Sequence, residues 1–140
     1  MPITHKYTIM CDEVRIENNG KLLLLGVYLD VILLPQIPAT FAGLTFLMKL
    51  ESDRPGVWTA RLKLQHLDSG EKLMEAIGSI NFQRPGPAVN PVRLPPFVIK
   101  APGVYHFVVE IEGQSEPILY EFMVGIATGQ AQVLGFQPKQ

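Results

Sequence analysis

A predicted β-hairpin near the amino terminus restricts the fold more than any other part of the sequence. In residues 11–17 the apolar Val14 and Ile16 alternate with charged neighbours, and a second strand-like run begins at Lys21. The tripeptide Asn18-Asn19-Gly20 separates the two runs. Asn and Gly tolerate the positive φ angles that primed hairpin turns require. The chain is therefore predicted to open with two antiparallel strands.

The same two-residue alternation of apolar and polar side chains recurs along most of the chain. It is clearest in residues 57–67, where one predicted face carries Trp58, Ala60, Leu62 and Leu64. Residues 72–82 are predicted to be a strand; residues 72–77 also have helical propensity, but Gly78 and the flanking turns favour a strand there. The other predicted strands cover residues 7–17, 21–34 (continuous, or bent near Asp30), 43–51, 97–100, 104–113 and 118–126.

Seven to nine short strands without a helix predict an all-β fold, a single antiparallel β-sandwich of the immunoglobulin-like kind. The predicted domain covers residues 1–126, and residues 127–140 form a tail that is flexible or docks on a partner. Residues 83–96 contain five prolines. They are predicted to form an irregular loop, because a central strand cannot carry so many prolines.

Charge and hydropathy limit the partners that this chain is expected to bind. The net charge is −1 and no block of basic residues occurs, so neither nucleic acid nor an anionic membrane surface is an expected partner. The longest apolar run, residues 22–34, is too short for a membrane span and contains Asp30. No signal peptide is recognisable at the amino terminus, so a cytoplasmic protein is expected.

Short motifs in the first part of the chain resemble a known family. The segments are Cys11-Asp12-Glu13-Val14-Arg15, Asn19-Gly20-Lys21 and Leu25-Gly26-Val27-Tyr28, followed by Leu34-Pro35 and Ile37-Pro38. The order C-D-x-x-R, N-G-K, G-x-Y resembles the opening of a family of small bacterial or phage-type proteins of unknown function. The resemblance implies a β-sandwich and carries over no catalytic residue.

The residue types that usually carry chemistry are scattered. Cys11 is the single cysteine, so it forms no internal disulfide and is predicted to be a small buried hydrophobe on a strand. His66 and His106 are predicted to face solvent and lack the spacing of a metal site. Four carboxylates surround the last hairpin and are interpreted as a solvated surface: Glu110, Glu112, Glu116 and Glu121. No catalytic residue, metal or cofactor is predicted.

A polar cluster is predicted around the first hairpin, and it has two interpretations. Its members are Asp12, Arg15, Lys21 and Asp30, with Glu13 beside them. These groups bind a ligand or a hard cation through carboxylates, or they form charge pairs across the hairpin. The second interpretation is favoured, because the acids do not have the dense alternation of a calcium loop.

The four consecutive leucines at residues 22–25 cannot all face one core. Either a second layer or a bend accommodates them, or they form an intersubunit face. The predicted interface residues are Leu22, Leu24, Pro85, Pro87, Val133, Leu134 and Phe136.

Three functions are compatible with these patterns. The first is a non-enzymatic β-sandwich that binds another protein or assembles with copies of itself. The second is a small-ligand-binding sandwich with an end pocket near Tyr28 and Asp30. The third and least supported is a hydrolase-type enzyme with an acidic base.

Overall fold

In the computed structural model, residues 2–127 are described, and they form eleven β-strands. No helix long and apolar enough to cross a membrane occurs in this range. The strands are β1 (Ile3–Ile16), β2 (Leu22–Tyr28), β3 (Val31–Leu34), β4 (Ala39–Phe41), β5 (Thr45–Ser52), β6 (Gly56–His66), β7 (Lys72–Phe82), β8 (Gly86–Arg93), β9 (Phe97–Ile99), β10 (Gly103–Ile111) and β11 (Ile118–Ile126).

Two large sheets pack face to face. One sheet has the order β2-β1-β5-β8, the other has the order β3-β11-β10-β6-β7, and β4 pairs with β9 in a small third sheet. All of these pairs are antiparallel except β3 with β11, which is parallel. The predicted all-β sandwich is confirmed. Eleven strands occur instead of seven to nine, because β4 and β8 form within segments that were expected to be loops.

Aromatic side chains join the two sheets at the centre of the core. Phe46 on β5 stacks on Phe107 of β10, with ring centroids 4.0 Å apart. The predicted inner face of β6 is confirmed, since Ala60 and Leu64 are buried and Trp58 packs half-buried against the core. Such packing removes apolar surface from water and is the main favourable contribution to folding.

The four-stranded sheet buries residues on both of its faces. The inner face of β5 carries Phe46 and Met48, while Thr45 and Leu47 on the outer face are also buried. Cys11 lies beside Thr45 on that outer face and is fully buried, which confirms its prediction as a buried hydrophobe. Burial raises the pKa of the Cys11 thiol, so the thiolate that a nucleophile requires is disfavoured.

The prediction that residues 83–96 form an irregular loop is wrong for β8. This strand pairs with β5 from Gly86 to Arg93, and Pro91 lies opposite Leu47. Proline is tolerated because β8 is an edge strand, where the proline nitrogen faces the open side instead of the ladder. Pro87 and Pro91 are four residues apart, so both have the same orientation in the strand.

The first hairpin is confirmed, but its turn differs from the predicted primed type. The amide of Gly20 donates to the carbonyl of Glu17 at 2.9 Å. Of the turn residues only Gly20 has a positive φ, at 84°. This is a three-residue loop in which a type I turn is followed by a left-handed glycine.

The long apolar run at residues 21–34 is two strands in different sheets. β2 ends at Tyr28 in the four-stranded sheet, and β3 begins at Val31 in the five-stranded sheet. Between them Asp30 has a φ of 65°. The bend predicted near Asp30 is therefore the point at which the chain crosses from one layer to the other.

The prediction that His66 faces solvent is wrong. Its ring is buried at the end of β6, where Nε2 lies 3.0 Å from the carbonyl oxygen of Pro102. The Ser69 amide donates to Nδ1 at 3.3 Å, so Nε2 carries the hydrogen and donates to the carbonyl. His66 is thus a structural residue that ties two loops together.

Candidate interaction surface

The first hairpin extends beyond the four-stranded sheet as a two-stranded arm. β1 pairs with β5 from Ile3 to Cys11, whereas its pairing with β2 continues from Met10 to Ile16. We call residues 12–26 the hairpin arm. Among residues 2–127, β1 is the only strand that pairs with β2. A two-stranded ribbon without further cover is only marginally stable in water.

Apolar side chains are exposed on both faces of the hairpin arm. Leu23 and Leu25 lie opposite Arg15 and Glu13 on one face, and Leu22 lies opposite Ile16 on the other. The exposed fractions are 74% for Ile16, 37% for Leu22 and 41% for Leu23. Leu24 and Leu25 are half-buried. Residues 2–127 therefore leave neither face of the arm fully covered.

The two edges of the four-stranded sheet differ in chemistry. At one edge, the prolines of β8 remove amide groups that a further strand would need. At the other edge, β2 has the sequence Leu-Leu-Leu-Leu-Gly-Val-Tyr, with neither a proline nor a charge. Natural proteins protect exposed edges with prolines, charges or bulges. By this criterion β8 is protected and β2 is open.

The predicted polar cluster does not form as one site. The Tyr28 hydroxyl donates to Asp12 at 2.6 Å, whereas Asp30 accepts a hydrogen bond from Tyr120. Lys21 donates its backbone amide to the side chain of Asn19, within the turn. No group of three or more His, Cys, Asp or Glu residues in the described part of the chain is placed to hold a metal ion.

Charge pairing across the hairpin, the favoured interpretation of that cluster, is also wrong. The Arg15 guanidinium pairs with Glu13 two residues away on the same strand, at 3.2 Å. In the register of the hairpin, both residues lie opposite leucines of β2. Both side chains of this ion pair are substantially exposed, so its contribution to stability is small.

The base of the hairpin arm is fixed by three residues of the sequence motifs. Gly26 has a φ of 65°, and a Cβ atom on it would lie 2.2 Å from Oδ2 of Asp12. The Asp12 carboxylate thus occupies the space beside Gly26 and accepts the Tyr28 hydroxyl. Burial and this hydrogen bond raise the pKa of Tyr28. This contact was not predicted, although the glycine of the G-x-Y motif was an available signal, because a glycine inside a strand often marks a close approach.

The predicted end pocket near Tyr28 and Asp30 receives no convergent polar groups. Tyr28 bonds within the four-stranded sheet, and Asp30 bonds to Tyr120 on β11. Burial, followed by the hydrogen bond to Asp30, raises the pKa of Tyr120. Each of these polar groups is already paired within the protein.

Two of the four carboxylates around the last hairpin have polar side-chain partners. Glu110 lies 3.6 Å from the Lys63 amine, and Glu121 lies 2.9 Å from Nε2 of His106. Neither glutamate is positioned beside a candidate nucleophile by these contacts. Both glutamates are exposed, as expected for the predicted solvated surface.

The other predicted interface residues are not gathered at the hairpin arm. Pro85 and Pro87 are exposed, but they lie at the β8 side of the sheet, opposite to the β2 side that carries Leu22 and Leu24. The remaining candidates, Val133, Leu134 and Phe136, lie outside the described residues.

A solved structure similar to this chain is the C-terminal domain of wzt. The two chains are 13% identical, with a TM-score of 0.49, and the match covers 99% of this chain and 84% of that one. No curated protein matches the sequence.

A family model matches residues 6–119, which include all the motifs quoted for the first part of the chain. The predicted membership of an uncharacterised family is confirmed at that level, while the bacterial or phage-type origin stays a prediction. The chain belongs to DUF6941, a family of unknown function.

Proposed function

We propose that this protein is a non-enzymatic assembly module that pairs with a second copy of itself through β2. The observation that carries the proposal is the open edge of β2, an uncharged strand on an arm with exposed leucines. Addition of a strand to such an edge supplies main-chain hydrogen bonds, and the alternating side chains supply specificity.

The chemistry of β2 favours a second copy over an unrelated partner. A strand without charges can pair with itself in antiparallel orientation without placing like charges opposite each other. A two-fold axis would also make the contact self-complementary. The charged residues of the arm all lie outside β2: Asp12, Glu13 and Arg15 are on β1, and Glu17 and Lys21 flank the turn.

Side chains add to the backbone pairing. Leu22 and Leu23 point to opposite faces of the arm and are both more than one-third exposed. Pairing of two arms would cover apolar surface on each face, at roughly 25 cal/mol for each Å² removed from water. This burial offsets part of the entropic cost of association.

Light scattering over a dilution series tests the proposal. The monomer mass is 15.6 kDa, and the wild-type protein is expected to have about twice that mass at high concentration. Leu23→Asp is expected to weaken association about tenfold or more, because a carboxylate would be desolvated at the contact. Ile77→Asp is the matched control, since Ile77 is 67% exposed on β7, an edge of the other sheet.

Circular dichroism would show that both variants remain folded. A wild-type protein that is monomeric at all concentrations, or equal association of the two variants, would contradict the proposal. Deletion of residues 131–140 is expected to leave the number of associated chains unchanged, because β2 lies entirely outside the deleted segment. Dissociation into monomers would instead place the predicted tail residues in the interface.

A further inference from the structure

The hydrogen bonds at the turn of the hairpin arm determine which backbone groups of β2 point to its open edge. The Glu17 amide donates to the Lys21 carbonyl at 2.8 Å, so these two residues form a hydrogen-bonded pair. Such pairs alternate with non-hydrogen-bonded pairs along an antiparallel ladder. Leu23 lies two positions further along the ladder and therefore bonds to β1. The N–H and C=O groups of Leu22 and Leu24 consequently point away from β1, to the open edge.

Gly26 interrupts this edge. Its φ of 65° lies in the left-handed region, so its backbone groups are not aligned with those of an extended strand. The regular part of the β2 edge is therefore residues 22–25. Within that part, Leu22 and Leu24 are the residues that offer both an N–H and a C=O group. A symmetric pairing of two β2 strands has to use these two residues to form regular ladder bonds.

We propose that two copies pair through β2 in the register that places Leu22 of one copy opposite Leu24 of the other, with the two Leu23 residues adjacent at the two-fold axis. This inference rests on the proposed function, because it specifies the contact through which the copies associate. By symmetry, the pair of Leu22 with Leu24 occurs twice. Each such pair exchanges both of its backbone hydrogen bonds, and none of these bonds involves Gly26.

The neighbouring symmetric registers form fewer regular bonds. With Leu24 at the axis, the two Leu24 residues pair with each other, and Leu22 pairs with Gly26. With Leu25 at the axis, Leu24 pairs with Gly26, and Leu22 pairs with Tyr28 beyond the irregular residue. Both registers thus depend on backbone groups that the left-handed φ of Gly26 misaligns. The proposed register is the one of the three in which the regular part of the edge is self-complementary.

The side chains of the arm agree with this register. Leu22 of each copy lies beside Leu24 of the other, on the face of the arm that carries Ile16. On the opposite face, Lys21 of one copy falls in the same cross-strand row as Glu13 of the other, two strands away. These two charges have opposite signs, so the row brings together charges that attract each other.

Crosslinking of single-cysteine variants measures the register. The native Cys11 is fully buried and is the sole cysteine, so it leaves the introduced thiols to react with each other. Leu23→Cys is expected to form a disulfide between copies, because the Cα atoms of a non-hydrogen-bonded pair are about 4.5 Å apart, within the range of disulfides. Leu24→Cys and Leu25→Cys test the other two registers. Ile77→Cys, at an exposed position on β7, measures crosslinking by random collision.

With oxidised glutathione as the oxidant, the covalent dimer of Leu23→Cys is expected to form at least about tenfold faster than that of the three other variants, because its thiols are held together in the associated state. Non-reducing electrophoresis measures the rates, and light scattering before oxidation shows whether each variant associates. If Leu23→Cys associates too weakly, a mixture of Leu22→Cys with isotopically labelled Leu24→Cys replaces it. The mixed disulfide, identified by mass spectrometry, is then the expected product.

The outcomes separate this inference from the proposed function. Faster crosslinking of Leu24→Cys or Leu25→Cys, or an associating mixture without the mixed disulfide, would overturn the register and leave pairing through β2 intact. If the protein associates but no β2 variant crosslinks faster than Ile77→Cys, both the register and the β2 contact are overturned. A wild-type protein that is monomeric at all concentrations overturns both as well.

Discussion

Gly26 sets the geometry of the hairpin arm because it has no side chain. Its φ of 65° is in the left-handed region, and the Asp12 carboxylate occupies the space where a Cβ atom would lie. Gly78 has neither constraint, since its φ is not in that region and its surroundings are open. The two glycines are therefore expected to respond in opposite ways to the same substitution.

Gly26→Ala is expected to lower the free energy of unfolding by about 1–2 kcal/mol, the cost of the left-handed conformation, with the clash against Asp12 added. Gly78→Ala is expected to be neutral or to stabilise by about 0.5 kcal/mol, because alanine restricts the unfolded chain. Urea denaturation of both variants measures the difference. Equal destabilisation by the two substitutions would contradict the roles given to them.

Residue-level prediction from the sequence succeeded for the buried Cys11 and failed for His66. The alternation of β6 places His66 on the same side as Leu64, which argues against the predicted solvent-facing position. Its burial depends on Ser69 and on the Pro102 carbonyl, which is 36 residues distant in sequence. A contact between loops so far apart leaves no periodic pattern in the sequence.

At the level of elements, β8 shows that prolines can mark an edge strand as well as a loop. Residues 83–96 were predicted to be irregular because of their prolines, yet Gly86 to Arg93 pair with β5 along the whole strand. The spacing of four between Pro87 and Pro91 is even, and an even spacing is compatible with one edge of a strand. That spacing was the feature of the sequence from which an edge strand could have been predicted. By contrast, the Asn-Asn-Gly hairpin and the parity of β6 followed directly from local sequence.

Pro91→Thr is expected to retain the fold and to increase aggregation, because it restores an amide group on the exposed side of β8. The unfolding free energy should fall by no more than about 1 kcal/mol, since proline limits the freedom of the unfolded chain. Light scattering during slow heating measures the aggregation. Pro85→Thr is the control, because Pro85 precedes β8 and carries no ladder position; similar aggregation of both variants would argue against an edge-protecting role.

For the whole molecule, three half-exposed or buried tyrosines connect separate elements. Tyr28 bonds to Asp12, Tyr120 bonds to Asp30, and the Tyr105 hydroxyl donates to the Ala101 carbonyl at 2.5 Å. Burial is the largest cause that raises the pKa of each phenol above its usual value of 10.0. The folded state thus holds these protons more tightly than the unfolded state does.

Stability is therefore expected to fall as the pH rises above about 10, where the phenols ionise first in the unfolded chain. Below that pH their contribution is fully present. The double variant Tyr28→Phe/Tyr120→Phe should show a weaker pH dependence in this alkaline range. Chemical denaturation at a series of pH values between 8 and 11 measures it, and an identical pH dependence for variant and wild type would contradict the assignment.

The assignment of strands to layers was the part of the global architecture that the sequence did not determine. Residues 21–34 appeared as one apolar run, with a bend near Asp30 as an open alternative. Their division between two sheets depends on which neighbours β2 and β3 acquire, β1 in one case and β11 in the other. The partner of β3, which is β11, is distant in sequence, and no local pattern specifies this pairing. The extension of the hairpin arm beyond the sheet was not predicted for the same reason. The arm begins where β1 stops pairing with β5, and no local sequence pattern marks that position.

The two edges of the four-stranded sheet differ, and this difference limits how many copies could join through it. Once two copies join at β2, each end of the combined sheet is a β8 strand with its prolines. Each end lacks the amides at Pro87 and Pro91, so the addition of a third copy is disfavoured and the sheet is not expected to propagate into a filament. The assembly proposed for β2 is therefore expected to be a dimer.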